Sequence, residues 1–429
     1  MSSVCVHGLG YVGLPTAAML ANHGHEVAGY DTNSDVTTAL QSGDVHLEEP
    51  GLRAFVTQAL ESGQLKIVDA VPAAEYHVIC VPTPFDETTQ NADLTAIHQS
   101  GRAINKSLRE GDTVILESTV PPGTTTTELR PILEASGLSA GSDFGLAFCP
   151  ETVLPGDIIT ELQHNNRIVG GINGMSIGSA VRLYETFVDG TIETTTSPTT
   201  AEFVKLIQNT FRDTNIALAN EIAKLARAYD IDSREAISLA NEHPRVDILQ
   251  PGPGVGGHCL PIDPWFLGAE ADELDLIARA RRINDGMIEY VIDLLEDELG
   301  TLDGKKVTVL GVAYKGNVGD TRMSPGLDLA RRLQGSTSAT ASGPPDDDAV
   351  STEVAIHDPH VTDETLALEP LDAATAQSDA IVVMADHDEF ERLEVSSLPA
   401  STQDAVLVDT KAVLDKRAWE RTDSTVVTI

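Results

Sequence analysis

The sequence predicts an α/β protein in which two doubly wound lobes are joined by a long central helix and a helical middle domain. Three observations lead to this prediction. Short apolar strand patterns alternate with amphipathic helical patterns early in the chain, a long helical run follows at residues 197–230, and a second strand–helix series closes the chain. Such alternation is typical of a parallel sheet covered by helices on both faces.

The first lobe is predicted to span residues 1–196. It opens with the strand pattern VCVHGLG (4–10), the helical pattern GLPTAAMLANHG (13–24) and the strand pattern EVAGYD (26–31). Further strands are expected at HVICVPTP (77–84), TVILESTV (113–120), FGLAFCPE (144–151) and RIVGGI (167–172), with helical segments at 94–108 and 124–136.

The middle domain is predicted at residues 197–298. Its long helical run carries a predicted capping box at Thr199 and Glu202, with Pro198 just before it. We expect this helix to form a spine between domains and its apolar stripe to pair with another subunit, which predicts a homodimer. More helix is expected up to residue 298, around the loop PGPGVGGHCLPIDP (251–264).

The last lobe is predicted at residues 299–429 and loosely repeats the first. Its elements are KKVTVLGVAYKGN (305–317), PGLDLARRL (325–333), EVAIHDP (353–359), DAIVVMAD (379–386) and AVLVDTK (405–411). The polar and acidic segment QGSTSATASGPPDDDAVST (334–352) is expected to be a mobile surface insertion.

The net charge of −38, from 66 acidic and 28 basic side chains, is spread along the chain. Such a surface repels nucleic acid and anionic membranes, so we expect neither as a partner. A dispersed acidic coat suits a cytoplasm of high salt, where repulsion is screened. The charge therefore predicts a halophilic source, with an ordinary acidic protein as the alternative.

The four cysteines are unevenly spaced and give neither a disulfide framework nor a CxxC metal pair. Reduced thiols in a cytoplasm are the simplest interpretation. The N-terminal segment shows no secretory pattern, and no apolar run reaches the roughly 18 residues of a membrane span. We therefore predict a cytoplasmic protein without a bound metal.

The motif Gly8-x-Gly10-x-x-Gly13 lies where the first strand passes into the first helix. Its glycines allow a tight turn and let backbone amides approach a pyrophosphate at the helix N-terminus. Asp31 ends the next strand, where a carboxylate binds the adenosine ribose and repels a 2′-phosphate. The motif predicts NAD in a Rossmann-like lobe, against the alternative of a glycine-rich turn without a ligand.

Lys205 and Asn209 are spaced i and i+4 on the long helix, hence on one face. Lysine is scarce in this chain, and two neighbouring donors suit the stabilisation of an alkoxide or oxyanion. The alternative is a solvated lysine that pairs with Glu202 or another helix acid. The spacing alone does not choose between these interpretations.

The loop at 251–264 is too rich in glycine and proline to be packed core, and it contains Cys259. Gly256 and Gly257 are expected to leave room for a substrate beside this thiol, with His258 and Asp263 within reach. A positive neighbour would make the thiolate a nucleophile. The alternatives are an inert cysteine or a zinc site, which lacks a second ligand cluster. The other cysteines, Cys5, Cys80 and Cys149, are interpreted as buried structural residues.

Taken in order, these segments resemble the UDP-glucose/GDP-mannose dehydrogenase family. The resemblance covers nearly the whole chain. The segments that carry it are GLGYVGLP (8–15), VPTP (81–84), ESTVPPGTT (117–125), KLIQNTFRDTNIALANEIAKLA (205–226), PGPGVGGHCLPIDPWFL (251–267) and GVAYKGNVGDTRMSP (311–325).

The resemblance implies oxidation of the C6 alcohol of a UDP-sugar to a carboxylate, in two hydride transfers to NAD. Cys259 would attack the intermediate aldehyde and hold it as a thiohemiacetal, then as a thioester, while the cofactor is exchanged. The residues expected to carry the chemistry are Cys259, Lys205, Asn209, Asp263, Glu151 and Thr119.

The same matching implies the binding residues. Those expected near NAD are Gly8, Gly10, Tyr11, Val12, Gly13, Asp31, Thr83, Thr119 and Arg322. Those expected near the substrate are Glu151, Lys205, Asn209, Arg245, Gly256, Gly257, Lys315 and Lys411. Lys315 would face the diphosphate, and Arg245 would reach the substrate of a partner subunit.

Within the family, ANEHPRVDILQPGPGVGGHC (240–259) and ETVLPG (151–156) resemble the branch that acts on UDP-N-acetyl-D-mannosamine, although Thr152 stands where that branch usually has arginine. The alternative sugars are UDP-N-acetylglucosamine and UDP-glucose. Two other classes are less favoured: an NAD-dependent sugar-nucleotide epimerase, which usually relies on a Tyr-x-x-x-Lys pair, and a non-catalytic nucleotide-sugar sensor.

Overall fold

The chain forms two compact units in the computed structural model, which describes residues 1–47, 49–86, 88–153, 156–271, 274–335, 352–394, 398–402, 404–419 and 425–429. The N-terminal unit contains Met1–Gln208 and Trp265–Asp272, and the C-terminal unit contains Asn209–Pro264 and Glu273–Ile429. Residues 336–351 of the expected surface insertion lie outside the described residues. The three predicted domain boundaries remain predictions.

The N-terminal unit is built on an eight-stranded sheet. Its strands are β1 (Ser3–His7), β2 (Glu26–Tyr30), β3 (Leu65–Val68), β4 (Tyr76–Ile79), β7 (Thr113–Leu116), β8 (Gly145–Phe148), β9 (Arg167–Gly171) and β10 (Ile192–Thr195), in the order β10-β9-β8-β7-β4-β1-β2-β3. All neighbours are parallel except β8 and β9. Strands β5 (Phe85–Asp86) and β6 (Asn91–Ala92) form a separate antiparallel ribbon.

Helices cover both faces of this sheet. They are α1 (Gly13–Asn22), α2 (Ser34–Gln41), α3 (Leu52–Glu61), α4 (Thr95–Asn105), α5 (Arg130–Glu134) with a π-helical turn before it (Thr125–Leu129), α6 (Ile158–His164) and α7 (Gly174–Tyr184). Because strand side chains alternate between faces, Val78 of β4 joins one apolar cluster and Ile79 joins the other. The predicted α/β class is confirmed.

Helix α8 (Pro198–Ala228) is the long helix expected from the sequence, and the division between the units falls within it. The predicted capping box is wrong. Ser197 Oγ accepts a hydrogen bond from the Thr200 N–H at 3.1 Å, while the Glu202 carboxylate accepts bonds from the Gly123 and Thr125 N–H groups. The helix starts at proline, whose missing N–H costs nothing there.

The C-terminal unit has a five-stranded parallel sheet in the order β12-β11-β13-β14-β15. Its strands are β11 (Lys306–Leu310), β12 (Glu353–His357), β13 (Ala380–Val383), β14 (Val406–Asp409) and β15 (Val426–Thr428). Its helices are α9 (Ser233–Asn241), α10 (Asp263–Leu267, which crosses into the N-terminal unit), α11 (Asp275–Asp285), α12 (Met287–Leu299), α13 (Pro325–Leu333), α14 (Leu371–Thr375), α15 (Asp388–Glu391) and α16 (Lys416–Trp419).

Alternate residues of β11 and β13 again belong to two apolar clusters, with Val309 and Val382 in one and Leu310 and Val383 in the other. Each fully buried side chain of this size contributes about 1.5–3 kcal/mol relative to exposure. Across the described ranges, none of the helices combines the length and apolar character that crossing a membrane requires.

Candidate functional site

The glycine motif follows β1, which has β2 on one side and β4 on the other. In doubly wound sheets, ligands bind at this reversal of strand order. Gly8 has a φ of +87°, and a Cβ on Gly13 would lie 1.9 Å from the Gly8 carbonyl oxygen. A Cβ on Gly10 would meet nothing within 4 Å. Gly8 and Gly13 are therefore required for the backbone conformation of the turn and for its close packing. Gly10 borders the open space that a pyrophosphate needs.

Asp31 follows β2 and binds the glycine segment directly. Its Oδ2 accepts the Leu9 N–H at 2.7 Å and its Oδ1 accepts the Asn33 N–H at 2.8 Å. A carboxylate has about four acceptor positions, so the half-buried Asp31 has capacity left for ribose hydroxyls. The remaining acceptor positions of Asp31 and the space at Gly10 fit a dinucleotide with a free 2′-hydroxyl.

Thr83 and Thr119, predicted to lie near NAD, are hydrogen-bonded to each other in the N-terminal unit. Thr83 Oγ1 donates to the Thr119 carbonyl at 2.7 Å, which joins the segments that follow β4 and β7. Tyr11 and Val12 are half-buried at the start of α1, and the Tyr11 hydroxyl donates to Glu49. These four residues thus belong to the same end of the sheet as the glycine motif.

Lys205 forms a buried ion pair with Glu151. Its Nζ lies 4.0 Å from Glu151 Oε2, and the two side chains are 9% and 14% exposed. This exposure contradicts the alternative of a solvated lysine. Glu202, the other suggested partner, instead holds the loop at residues 123–125. Burial raises the pKa of Glu202, and the hydrogen bonds from Thr125 and Gly123 act in the opposite direction.

In the C-terminal unit, the predicted irregular loop carries Cys259, which is half-buried. The Cys259 carbonyl accepts the N–H groups of Ile262 and Asp263 at 3.0 and 2.8 Å. The Asp263 carboxylate in turn accepts the side-chain amide of Asn209 at 2.6 Å. Asp263 is 3% exposed and Asn209 8% exposed, so a turn of backbone and one buried hydrogen bond fix the carboxylate near the thiol segment.

Gly256 and Gly257 pack closely against another segment of the C-terminal unit. A Cβ on Gly256 would lie 2.6 Å from the Met323 carbonyl oxygen, and one on Gly257 would lie 2.9 Å from the Tyr314 ring. The Gly257 N–H also donates to the Arg322 carbonyl at 2.9 Å. These glycines therefore let the loop pack against residues 314–323, and the expected room for a substrate beside Cys259 stays a prediction.

A buried polar network supports the start of this loop. The Gly252 N–H donates to Asn220 Oδ1 at 2.9 Å, and Asn220 donates to Asn284, which donates to Asp213. Arg281 pairs with the same Asp213 at 2.5 Å. Sequence reasoning missed these residues; their signal was polar side chains at helical spacing on otherwise apolar faces.

Arg234, also missed, bridges α9, the loop and the end of β14. Its guanidinium donates to the carbonyls of Pro251 at 2.7 Å and Thr410 at 3.1 Å. Burial lowers the pKa of Arg234, with Asp409 acting in the opposite direction. A half-buried guanidinium that bonds two carbonyls positions the loop rather than a ligand.

The remaining predicted cations lie on the C-terminal unit. Lys315, Arg322 and Arg245 are exposed. The guanidinium of Arg322 pairs with Asp320, and Lys411 Nζ lies 3.3 Å from Asp386 Oδ1. Asp386 also accepts the backbone N–H of Gly316, so one carboxylate binds both the Lys411 ammonium and the backbone next to Lys315.

Asp358 follows β12 as Asp31 follows β2, but its environment is different. Its Oδ2 accepts the N–H groups of Val312 and Ala313 and the Nε2–H of His387, and its Oδ1 accepts the N–H groups of His360 and Val361. His387 Nδ1 accepts the N–H of Asn317 at 2.9 Å. Asp358 therefore holds the backbone around Lys315 in place.

Three family models match this chain. The UDP-glucose/GDP-mannose dehydrogenase NAD binding domain matches residues 2–188, the central domain of that family matches residues 199–286, and its UDP binding domain matches residues 308–416. The division into NAD-binding and UDP-binding parts places the glycine motif in the former and Lys315 and Asp358 in the latter.

Several sugar-nucleotide dehydrogenases are similar to this chain over nearly its whole length. The UDP-N-acetyl-D-mannosamine dehydrogenases of Methanococcus maripaludis and Pyrococcus horikoshii are 39% and 41% identical, covering 99% and 96% of this chain and 96% of each relative. The P. horikoshii UDP-D-ManNAc dehydrogenase structure has a TM-score of 0.89 at 38% identity and covers 100% of this chain and 99% of that one. A UDP-glucose dehydrogenase structure from Pyrobaculum islandicum has a TM-score of 0.85 at 28% identity, with 100% and 97% covered.

Proposed function

The chain belongs to the UDP-glucose/GDP-mannose dehydrogenase family of NAD-dependent oxidoreductases, and from this premise we propose that it oxidises UDP-N-acetyl-D-mannosamine to UDP-N-acetyl-D-mannosaminuronate. Membership confirms the predicted family and NAD as the cofactor. The observation that carries the choice of sugar is the identity of about 40% to enzymes named for it, over nearly the whole of both chains.

Asp263 and Lys205 assist the first oxidation in this proposal. NAD supplies the hydride acceptor, and the C6 hydroxyl loses its proton through water to the Asp263 carboxylate while the C6 hydride leaves. The amide of Asn209 holds that carboxylate in one orientation. The Lys205 ammonium stabilises the negative charge that develops on the C6 oxygen.

Cys259 is the nucleophile for the aldehyde. Its thiolate adds to C6, which gives a thiohemiacetal whose oxyanion is stabilised by Lys205 and Asn209. Loss of a second hydride from C6 converts this adduct to a thioester. Water that is oriented near Glu151 and Thr119 then adds to the thioester carbonyl, the C–S bond breaks, and the carboxylate leaves with the Cys259 thiol restored.

The proposed binding roles follow from the resemblance of these segments to the dehydrogenase family. Backbone amides at Gly8–Gly13 hold the pyrophosphate of NAD, and Asp31 binds the adenosine ribose. We assign Arg322 to the cofactor, Lys315 to the substrate diphosphate and Lys411 to the uridine side. The exposure of Lys315 and Arg322 supports these assignments, because an exposed cation is accessible to an anionic ligand.

The test of the function is the number of NADH molecules formed per sugar, with UDP-N-acetyl-D-mannosamine, UDP-N-acetylglucosamine and UDP-glucose offered separately. Two NADH per UDP-N-acetyl-D-mannosamine, with slow or no turnover of the others, is the expected result. If only UDP-glucose or only UDP-N-acetylglucosamine is oxidised, the proposed mechanism stands but the proposed substrate is wrong. Formation of an epimerised sugar without net NADH would show that the protein is an epimerase and not a dehydrogenase.

We further propose that α8 pairs with a second copy of this chain. Phe203, Ile207, Phe211, Leu218 and Leu225 are 42–58% exposed. At 100° per residue they fall within an arc of about 80° and extend for roughly 33 Å along the helix. An apolar stripe of this length on so highly charged a chain is the kind of surface that a homodimer covers. Arg245 would then contribute to the partner subunit's substrate site.

We also propose a halophilic, cytoplasmic setting. The charge of −38 supports high salt, and a nucleophilic Cys259 needs a reducing compartment. A melting temperature that rises steeply between low and molar salt is expected, and undiminished stability in dilute buffer would contradict the setting. The product, a nucleotide-activated uronic acid, suits transfer into a polysaccharide or other glycan.

A further inference from the structure

Three side chains of metal-binding type lie together in the core of the N-terminal unit, apart from the site described above. They are Cys5 and His7 of β1 and His77 of β4, and one ligand atom of each lies within 4.8 Å of the others. All three residues are fully buried. The sequence predicts a buried structural role for Cys5 and a protein without a bound metal, and neither histidine stands out in it.

The register of the sheet brings this group together. Cys5 and His7 are two residues apart on one strand, so their side chains leave the same face of the sheet. In the parallel pairing of β1 with β4, Cys5 is the direct partner of His77. Two strands therefore place a thiol and two imidazoles on adjacent positions of one surface without any loop.

The spacing of the two imidazoles fits a shared ion. His7 Nε2 lies 3.2 Å from His77 Nδ1. Two nitrogens at about 2.0–2.1 Å from a tetrahedral zinc ion are separated by roughly 3.3 Å. The outer nitrogens, His7 Nδ1 and His77 Nε2, have no hydrogen-bond partner among the described residues. The ring that donates this hydrogen bond can move its proton to its outer nitrogen, so that both inner lone pairs face the ion; the hydrogen bond between the rings is then replaced by two bonds to the metal.

We propose that Cys5, His7 and His77 bind one transition-metal ion of the zinc or copper class. A thiolate with two imidazoles is a donor set that suits both ions and disfavours magnesium and calcium. On binding, the sulfur–hydrogen bond of Cys5 is replaced by a sulfur–metal bond and one proton is released.

The site differs in kind from the dehydrogenase site, because its side chains leave the face of the sheet rather than its carboxyl edge. The proposal therefore stands or falls independently of the proposed reaction. The competing account is a metal-free core in which the two imidazoles only share one hydrogen bond. The two accounts predict opposite results when metal is offered.

The experiment uses the full chain after treatment with a chelator, in buffer with excess Mg²⁺ so that exposed carboxylates are occupied. Co²⁺ is titrated as a spectroscopic probe. We expect one ion per chain, a thiolate-to-cobalt charge-transfer band, release of one proton and a higher melting temperature, since an ion bound to the folded state stabilises it. Displacement by stoichiometric Zn²⁺ assigns the zinc class, and displacement by Cu⁺ alone assigns the copper class.

Variants locate the ion. Cys5→Ser, nearly identical in shape, should lose the charge-transfer band, and His77→Gln should lower the affinity for Co²⁺ at least about tenfold. Cys259→Ser and Cys149→Ala are matched controls and should bind Co²⁺ like the parent. Circular dichroism and NAD binding show whether each variant is folded. The absence of a charge-transfer band in the parent, or its loss in Cys259→Ser with retention in Cys5→Ser, would overturn the proposal.

Discussion

The side-chain amide of Asn209 lies 2.6 Å from the carboxylate of Asp263, and both groups are buried although 54 residues separate them. Asn209 belongs to α8 and Asp263 begins α10, directly after the Cys259 loop. This hydrogen bond thus joins the helix that carries the proposed oxyanion donors to the segment that follows the proposed nucleophile.

Replacement of Asp263 by asparagine should abolish most proton abstraction while preserving the shape of this pair. We expect the rate of the first hydride transfer to fall by about 10²–10⁴-fold, the usual contribution of a positioned general base, with NAD affinity unchanged. The measurement is NADH formation in a single turnover. Asp247→Asn, at an exposed acid of the same unit, is the control, and a parental rate in Asp263→Asn would exclude the base assignment.

Replacement of Cys259 by serine should stop the reaction at the aldehyde level. Acid formation should fall more than about 10³-fold, since loss of a nucleophile removes a whole route, while NAD binding is retained. Mass spectrometry measures the aldehyde and acid products, and absorbance gives the number of NADH molecules formed per sugar. Cys149→Ala, a buried thiol at the end of β8, should keep near-parental turnover. Full acid production by Cys259→Ser would rule out the covalent route.

Replacement of Asp31 by alanine should weaken NAD more than the UDP-sugar. The carboxylate bonds the Leu9 N–H and is the proposed ribose acceptor. Loss of a hydrogen bond to a charged group costs about 1.5–3 kcal/mol, so KM for NAD should rise roughly 10- to 100-fold. Asp35→Ala, at an exposed acid of α2, should change neither constant. Equal losses for both ligands in Asp31→Ala would indicate misfolding instead.

Charges placed in the α8 stripe should dissociate the proposed dimer. We expect Phe211→Glu with Leu218→Glu to halve the mass in sedimentation at high salt, because burying two carboxylates in an apolar interface is unfavourable. Leu239→Glu, at an apolar residue of α9 that is even more exposed, is the matched control. A parent chain that already sediments as a monomer would contradict the dimer.

The Asp358–His387 pair should make the C-terminal unit sensitive to acid. Burial acts to raise the pKa of Asp358, but the hydrogen bond from His387 and those from backbone N–H groups outweigh it and lower the pKa from 3.8 to about 2. Between these values the unfolded chain binds more protons at this position, so stability rises with pH. The carboxylate thus contributes about 2 kcal/mol above pH 4, and this is lost as the pH falls towards 2.

Denaturant unfolding of Asp358→Asn measures this contribution. The difference in free energy of unfolding from the parent should be largest near neutral pH and shrink below pH 4. Asp404→Asn, at an exposed acid, should show no such dependence. If the difference in free energy of unfolding stays constant down to acid pH, the substitution destabilises the protein through packing and not through loss of the charge.

Strand and helix patterns with strong periodicity could be predicted, and the edges of the sheet could not. The central strands β1, β4 and β7 are apolar on consecutive residues because both faces are buried. β3 and β10, at the two edges, mix polar and apolar residues. They become strands through pairing with β2 and β9, which no local pattern reveals.

Contacts between distant segments account for the remaining differences at the site. Glu202 has the spacing of a capping residue, but the N–H groups at Gly123 and Thr125 bind it instead. Gly256 lies against Met323, 67 residues further along the chain, and Gly257 lies against Tyr314, 57 residues further along. The glycine motif and Asp31 could be predicted because their partners lie within one strand–helix–strand unit.

Asp31 receives two backbone hydrogen bonds, whereas both oxygens of Asp358 are saturated by five donors. Asp358 therefore cannot also bind a ribose, and both hydride transfers of the proposed reaction pass through the site at Asp31. NADH must leave and NAD must enter while the sugar is still attached to the protein. The ratio of the two nucleotides then acts twice in each turnover, so the supply of uronic acid should respond more steeply than linearly to the redox balance of the cell.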